Sequence, residues 1–479
     1  MKPPDWVTDA AFYQIFPDRF FRSGRPAAHP RPADPYEPWD GPPTVRGFKG
    51  GDLWGVAEKL DYLVELGVNA IYLNPVFASS ANHRYHTSDY FRVDPILGGD
   101  EALRHLLDAA HARGLRVILD GVFNHTGRGF FAFQHLLENG PASPYRDWYH
   151  VKGFPLHAYG GRPNYAAWWD NPELPKLRTE TPAVRDYLLD VAEYWIRFGA
   201  DGWRLDVPEE IADMEFWSAF RRRVKEANPE AYLVGEIWHE APDWVAPAGP
   251  FDGVMNYPLG RAVLGFVGGE AFDRDLAARS GLGAVPALDA AGWAERVAAV
   301  LGRYPAEANR LQLNLLTSHD TPRLFTMMRD DAGRAALALE LLVVLPGAPN
   351  LYYGDEIGLP GVHDPDNRRA FPWAHPERWN HGLRERVRAI LNLRREHEDL
   401  RAAAFDAWWA EGRRVAFVRG RYRVAVNADA RAWTLDLPCP APHARFRGLL
   451  HDGRLDCRGG RLRGAELPPW TLEVWAPRD

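Results

Sequence analysis

The chain has 479 residues and a net charge of −7, with 46% hydrophobic and 25% charged side chains. That length exceeds one ordinary domain and buries a large core, and the balance excludes a disordered chain. Basic residues are scattered, no stretch reaches the ~20 apolar residues of a membrane span, and no charged, then apolar, leader opens the chain. We therefore expect a cytoplasmic protein that binds neither nucleic acid nor membrane. The two cysteines, Cys439 and Cys457, are read as a reduced pair, as suits that compartment.

Short β-rich runs alternate with amphipathic helical runs. The first strand is expected over Phe12–Phe16. A helix follows over Leu53–Gly67, ending at glycine. Next come a strand over Asn69–Pro75, a helix over Asp100–Arg113 and a strand over Arg116–Phe123. Helix Ala183–Phe198 leads to strand Asp201–Val207, and helix Phe216–Ala227 leads to strand Ala231–Trp238. Phe251–Tyr257, Arg310–Ser318 and Asn350–Gly354 read as three further strands, with helices Ala332–Leu345 and Leu383–Glu396. Eight strands alternating with helices imply an α/β fold, a parallel sheet closed into a (β/α)8 TIM barrel. A doubly wound open sheet is the alternative, but the first β–α turn lacks a glycine-rich phosphate loop.

Two segments break the alternation. Residues 126–181 carry Trp148, Tyr149, Trp168 and Trp169 among many prolines and glycines, and read as an inserted subdomain. The barrel is then expected over 1–125 and 182–400. After Leu400, short strands at Val415–Val418, Tyr422–Val426, Trp433–Leu437 and Thr471–Val474 suggest a C-terminal β-sandwich over 401–479. Each of the 19 tryptophans is core by default, although flat aromatics also stack on sugar rings.

Asp206 and Glu236 lie thirty residues apart, about one strand–helix–strand unit, so both acids belong at the same end of neighbouring parallel strands. Barrel sites sit at the C-terminal strand ends. There the third strand gives Asp120-Gly121-Val122-Phe123-Asn124-His125, the fourth Arg204 and Asp206, the fifth Glu236, and the seventh Ser318-His319-Asp320. Any of these alone is a plausible helix cap or ion-pair partner, but their coincidence on one rim points to paired-carboxylate chemistry on a glycosidic bond.

In that order, DGVFNH, GWRLD, GEIW and SHD resemble glycoside hydrolase family 13, the α-amylase family, over nearly the whole chain. Leu174-Pro175-Lys176-Leu177, Gly235–His239 and Val254–Pro258 resemble its neopullulanase and cyclomaltodextrinase group. The resemblance implies that Asp206 is the nucleophile, kept ionised by Arg204, and that Glu236 is the acid/base with a raised pKa. It further implies that Asp320, His125 and His319 bind hydroxyls of the reacting sugar, that Tyr85 stacks on it, and that Asp364 and Arg368 hold its far hydroxyls. Trp238, Met255 and Tyr257 are candidates for the leaving-group side or for core packing. The expected enzyme cleaves α-1,4, and also α-1,6, links of maltodextrins with retention. An α-glucosidase, a transglycosylase and a non-catalytic sugar-binding protein are the alternatives.

The sequence starts at the barrel where that group carries an N-terminal β-domain, so a monomer is favoured over the group's dimer. Val207-Pro208-Glu209-Glu210 stands where the group has VANE. No redox or group-transfer cofactor is implied. Relatives hold calcium in a loop after the first strand, but Phe21–Arg25 carries no carboxylate, so that site is expected to lack the ion. Asn124 is the one candidate ligand for a different calcium site at the insertion.

Overall fold

The computed structural model describes residues 3–25, 36–247, 249–439 and 444–478. Eight short parallel strands form the barrel: β1 (Phe12–Ile15), β2 (Ala70–Leu73), β3 (Arg116–Gly121), β4 (Gly202–Leu205), β5 (Tyr232–Gly235), β6 (Gly253–Val254), β7 (Leu313–Leu315) and β8 (Ala348–Tyr352). They pair in the order β6-β5-β4-β3-β2-β1-β8-β7. The ring closes through a single parallel bridge, Met255 to Leu313. Every position of β1, β2, β4, β5, β7 and β8 is buried, so these strands read as apolar runs rather than alternating ones.

The strands are shorter than their sequence patterns, because the chain leaves the ladder where functional side chains begin. Ala231–Trp238 yields only four strand residues, and Phe251–Tyr257 only two, with Tyr257 opening a helix instead. That helix, Tyr257–Gly268, is buried at nearly every position, which erases the amphipathic signal that reveals a surface helix. It and helix Ala290–Leu301 are additions to the elements expected from sequence. After β5 there is only the short turn Pro242–Trp244 before β6. At Gly202 a Cβ would lie 2.2 Å from the Tyr232 carbonyl oxygen, so the pairing of β4 with β5 requires glycine there.

Residues 126–181 hold one α-helix, Phe131–Asn139, and short 3-10 turns. Leu174–Leu177 ties this segment to the end of β3: His125 bridges Lys176, Leu177 N–H donates to Asn124 O at 2.9 Å, and Thr126 N–H donates to Pro175 O at 3.1 Å.

Beyond residue 404, eight antiparallel strands form one continuous sheet. Strand Phe405–Glu411 begins the order and Trp433–Pro438 ends it, yet Trp409 and Trp433 stack at 5.0 Å. The sheet therefore folds back on itself, and its two halves make the layers of the sandwich. Their shared core includes Ala416, Ala425, Leu435, Leu462 and Trp475. The cysteine expectation is corrected here: Cys439 and Cys457 form a disulfide. Antiparallel pairing of Cys457 with Leu462 and of Leu462 with Leu437 brings the two Cα atoms to 5.9 Å, within bridging range. Among the described residues no helix is long and apolar enough to cross a membrane.

Candidate active site

The barrel rim gathers the expected residues around Arg204, whose side chain is fully buried on β4. Its Nη1 lies 2.8 Å from Asp120 Oδ1 and 3.0 Å from Asp206 Oδ1, and its Nη2 lies 3.0 Å from Glu236 Oε2. One guanidinium thus spans the two acids singled out by their thirty-residue spacing. Its Nε meets Met255 Sδ at 3.5 Å. Met255 is fully buried, so it packs against the arginine rather than facing the cleft.

Glu236 receives two further donors. Val207 N–H reaches Oε2 at 3.1 Å and Trp238 Nε1–H reaches Oε1 at 3.2 Å. Val207 directly follows Asp206 and sits at φ 36°, ψ 53°, a left-handed conformation that is costly for a β-branched residue. It turns the amide after one acid onto the carboxylate of the other. Trp238 is fixed by stacking on Tyr257 at 3.7 Å and 14°. A Cβ on Gly281 would lie 2.6 Å from the Trp238 indole edge, so this loop approaches the ring closely because it has no side chain there. Tyr257 itself is buried.

A second cluster holds Asp320. Its Oδ2 is 3.0 Å from His319 Nε2 and its Oδ1 3.4 Å from Arg368 Nη2; Arg368 Nη1 also pairs with Asp364 at 3.1 Å. His319 Nδ1 faces the amide groups of Gln14 Nε2 at 2.9 Å and Asn74 Nδ2 at 3.1 Å. Two amide donors on Nδ1 place the ring proton on Nε2, where it points at Asp320 and the Tyr85 hydroxyl, 2.7 Å away. Tyr85 lies flat against the His319 ring at 5.4 Å and 7°, and its hydroxyl donates to Asp120 Oδ2 at 2.8 Å. His125 is buried at the end of β3, with its ring 5.9 Å from Trp168.

Burial and charge oppose each other across the rim. Burial first, and the charge of Glu236 second, push Asp206 well above the ordinary carboxylate range against the pull of Arg204. Burial and the neighbouring acid thus oppose the pull of Arg204 on Asp206. Burial also raises Glu236, against Arg204 and its two N–H donors. Asp320 is pushed up to about 7, by burial and then by Glu236. Several acids share one guanidinium, so the cluster retains protons far above the usual range. Burial lowers His125 to about 3, and burial with the charges of Arg368 and Arg204 lowers His319 well below its usual value. Both rings are neutral donors near pH 7.

Tyr72, Asn74 and Gln14 are additions to the sequence-derived site, and Asp120, named there at the third strand end, gains a role. Asp120 is buried beneath it, accepting from the Tyr72 and Tyr85 hydroxyls at 2.8 Å each and pairing with Arg204. The available signal was a polar residue in an apolar strand, as in Gln14 of β1 and Asn74 after β2.

Calcium fits poorly. Asn124 Oδ1 is buried without a hydrogen-bond partner, but it is a single oxygen, whereas calcium takes six to eight. No group of three or more His, Cys, Asp or Glu poised for a metal exists among the described residues. Near the first loop, Asp52 is spent on other donors: Gly55 N–H at 2.6 Å, as helix cap, and the Ser23 hydroxyl at 2.8 Å.

The chain matches the family described as alpha amylase, catalytic domain, over residues 14–403. A cyclomaltodextrinase of Geobacillus thermopakistaniensis is 45% identical over 99% of this chain and 78% of its own length. A crystal structure of a Thermus thermophilus protein superposes with TM-score 0.96 at 62% identity, covering 99% of this chain and all of the other. The debranching enzyme of Nostoc punctiforme superposes with TM-score 0.89 at 43% identity, over 99% of each chain.

Proposed function

The chain belongs to the alpha-amylase family, a family of glycosidases, and we propose on that basis that it hydrolyses α-1,4 and α-1,6 links of maltodextrins with retention, through a glycosyl ester on Asp206. The observation that carries this reading is the guanidinium of Arg204 lying between Asp206 and Glu236, at 3.0 Å from each. That bridge holds both carboxyls on one guanidinium, a pairing that suits a nucleophile and an acid/base acting on one bond.

In the first step Asp206 attacks the anomeric carbon while the Glu236 carboxyl gives its proton to the departing glycosidic oxygen. In the second, the Glu236 carboxylate takes a proton from water, the hydroxyl adds to the same carbon, and the Asp206 ester bond breaks. The positive charge that develops on the sugar ring lies beside Asp206 and favours its ionised form. This leaves the cluster's proton for Glu236. Asp320, His319 and Arg368 form one side of the reacting subsite, Tyr85 its stacking face, and His125 a neutral donor on the other side.

Both bond types are included because the similar proteins comprise a cyclomaltodextrinase and a debranching enzyme. The three acids stand together on the rim, which argues against a sugar-binding protein without catalysis.

An NMR time course on maltotriose tests the bond chemistry. The first product formed is expected to carry the α-anomer, and early β-anomer would overturn the double displacement. Product profiles on maltotriose, pullulan, starch and β-cyclodextrin then separate chain cleavage, debranching and transfer.

A further inference from the structure

Trp169 is the most exposed large hydrophobic side chain among the described residues, with 80% of its surface open. An exposed indole normally buries itself when the chain allows it. Here the backbone prevents that: Trp169 and Asp170 both have left-handed φ, at 50° and 55°, a conformation costly for bulky L-residues that persists where the surroundings impose it. The result is a flat pair, with Trp169 stacked on Trp168 at 4.8 Å and 11°. Trp168 in turn lies 5.9 Å from the His125 ring. The turn is held from both sides, by Trp168 N–H on Leu174 O at 3.0 Å and by the Arg162–Asp170 ion pair at 3.0 Å. The Trp168 Nε1–H is buried and has no hydrogen-bond partner.

Resting on the function proposed above, the geometry points to Trp168 and Trp169 as a glucan-binding platform that lengthens the cleft outward from His125. The occupant is a further glucose unit of the α-glucan chain being cleaved. A pyranose ring presents an apolar C–H face that suits the bare indole of Trp169. Continuity with His125 selects this occupant over an unrelated ligand.

The test compares KM for maltotriose and maltoheptaose in wild type, Trp169→Ala, Trp169→Phe and the control Tyr159→Ala. Tyr159 is similarly bare, 74% exposed, but its neighbour is the Arg128 guanidinium. Trp169→Ala is expected to raise KM for maltoheptaose about fivefold more than for maltotriose. Trp169→Phe should restore most of that loss, and Tyr159→Ala should leave the ratio of the two KM values as in wild type. Equal effects on both substrates, or none on either, overturn the platform. A shift from dimer to monomer in Trp169→Ala without the length-dependent KM change assigns the ring to a protein contact and likewise overturns it. Wild type inert on both maltodextrins would instead overturn the function proposed above, a distinct outcome.

Discussion

Buried arginines hold the barrel at both ends, with opposite consequences. At the rim, Arg204 meets Asp120, Asp206 and Glu236; burial pulls its pKa down, but the surrounding acids, Asp120 and Glu236 foremost, outweigh that and raise it. At the other end, Arg394 donates to the carbonyl oxygens of Gly347 at 2.8 Å, Leu400 at 2.9 Å and Val343 at 3.1 Å. Arg419, from the C-terminal domain, donates to Leu400 O at 2.9 Å and to Val344 O. Burial there outweighs the opposing charges of Asp9 and Asp399 and brings both arginines to about 9. Burial by itself therefore says little about function. Neutral carbonyls around a guanidinium join two domains, whereas acids crowded around one store charge for chemistry at a cost in stability.

That contrast fails if rim and foot respond alike to substitution. Asp206→Asn is expected to lower kcat by about 10⁴-fold, with a melting temperature equal to or above wild type because one of the crowded acids is gone; steady-state kinetics and thermal melts check both halves. Arg394→Met should show the reverse. It leaves several buried carbonyls without their donor, costing about 3 kcal/mol in denaturant unfolding, while kcat per folded molecule stays as in wild type.

Asp320→Asn probes the rim through pH. A carboxyl raised to about 7 in the fold costs no stability below the ordinary carboxylate value of about 4, a growing amount as pH rises from there, and its full cost above 7. The variant should therefore be more stable than wild type at pH 8, and the advantage should shrink as pH falls below 7 and vanish only near pH ~4; an advantage independent of pH would refute the assignment. The smallest effect belongs to Trp238→Phe. Removing an N–H donor from Glu236 Oε1 disfavours the carboxylate, so the alkaline limb of kcat/KM should move up by a fraction of a pH unit.

Much of this molecule was readable from its pattern. The eight strands stand where apolar runs and flanking helices placed them, because a fully buried parallel strand has few other ways to be written. The rim acids were legible because several charged residues end apolar strands on one rim, a coincidence that separate caps or ion pairs do not explain. Helix Tyr257–Gly268 escaped because its burial on all sides leaves no amphipathic face. Several strands of the C-terminal sheet, such as Arg454–Arg458 and Arg461–Leu467, escaped because their arginine-rich alternation reads as surface loop. Asp120 escaped as a role, though not as a residue, since its three partners come from β2, the chain beyond β2 and β4.

Local pattern was enough for the barrel and for the residues that line its rim, since periodicity and strand-end chemistry are properties of short stretches of chain. How the cluster's protons are held was settled only in three dimensions, because it depends on distances to Arg204 and on burial summed over four strands. The meeting of Cys439 with Cys457 was settled there too. A bridge forms only where register brings two Cα atoms within reach, and register is fixed by partners that a linear chain does not show.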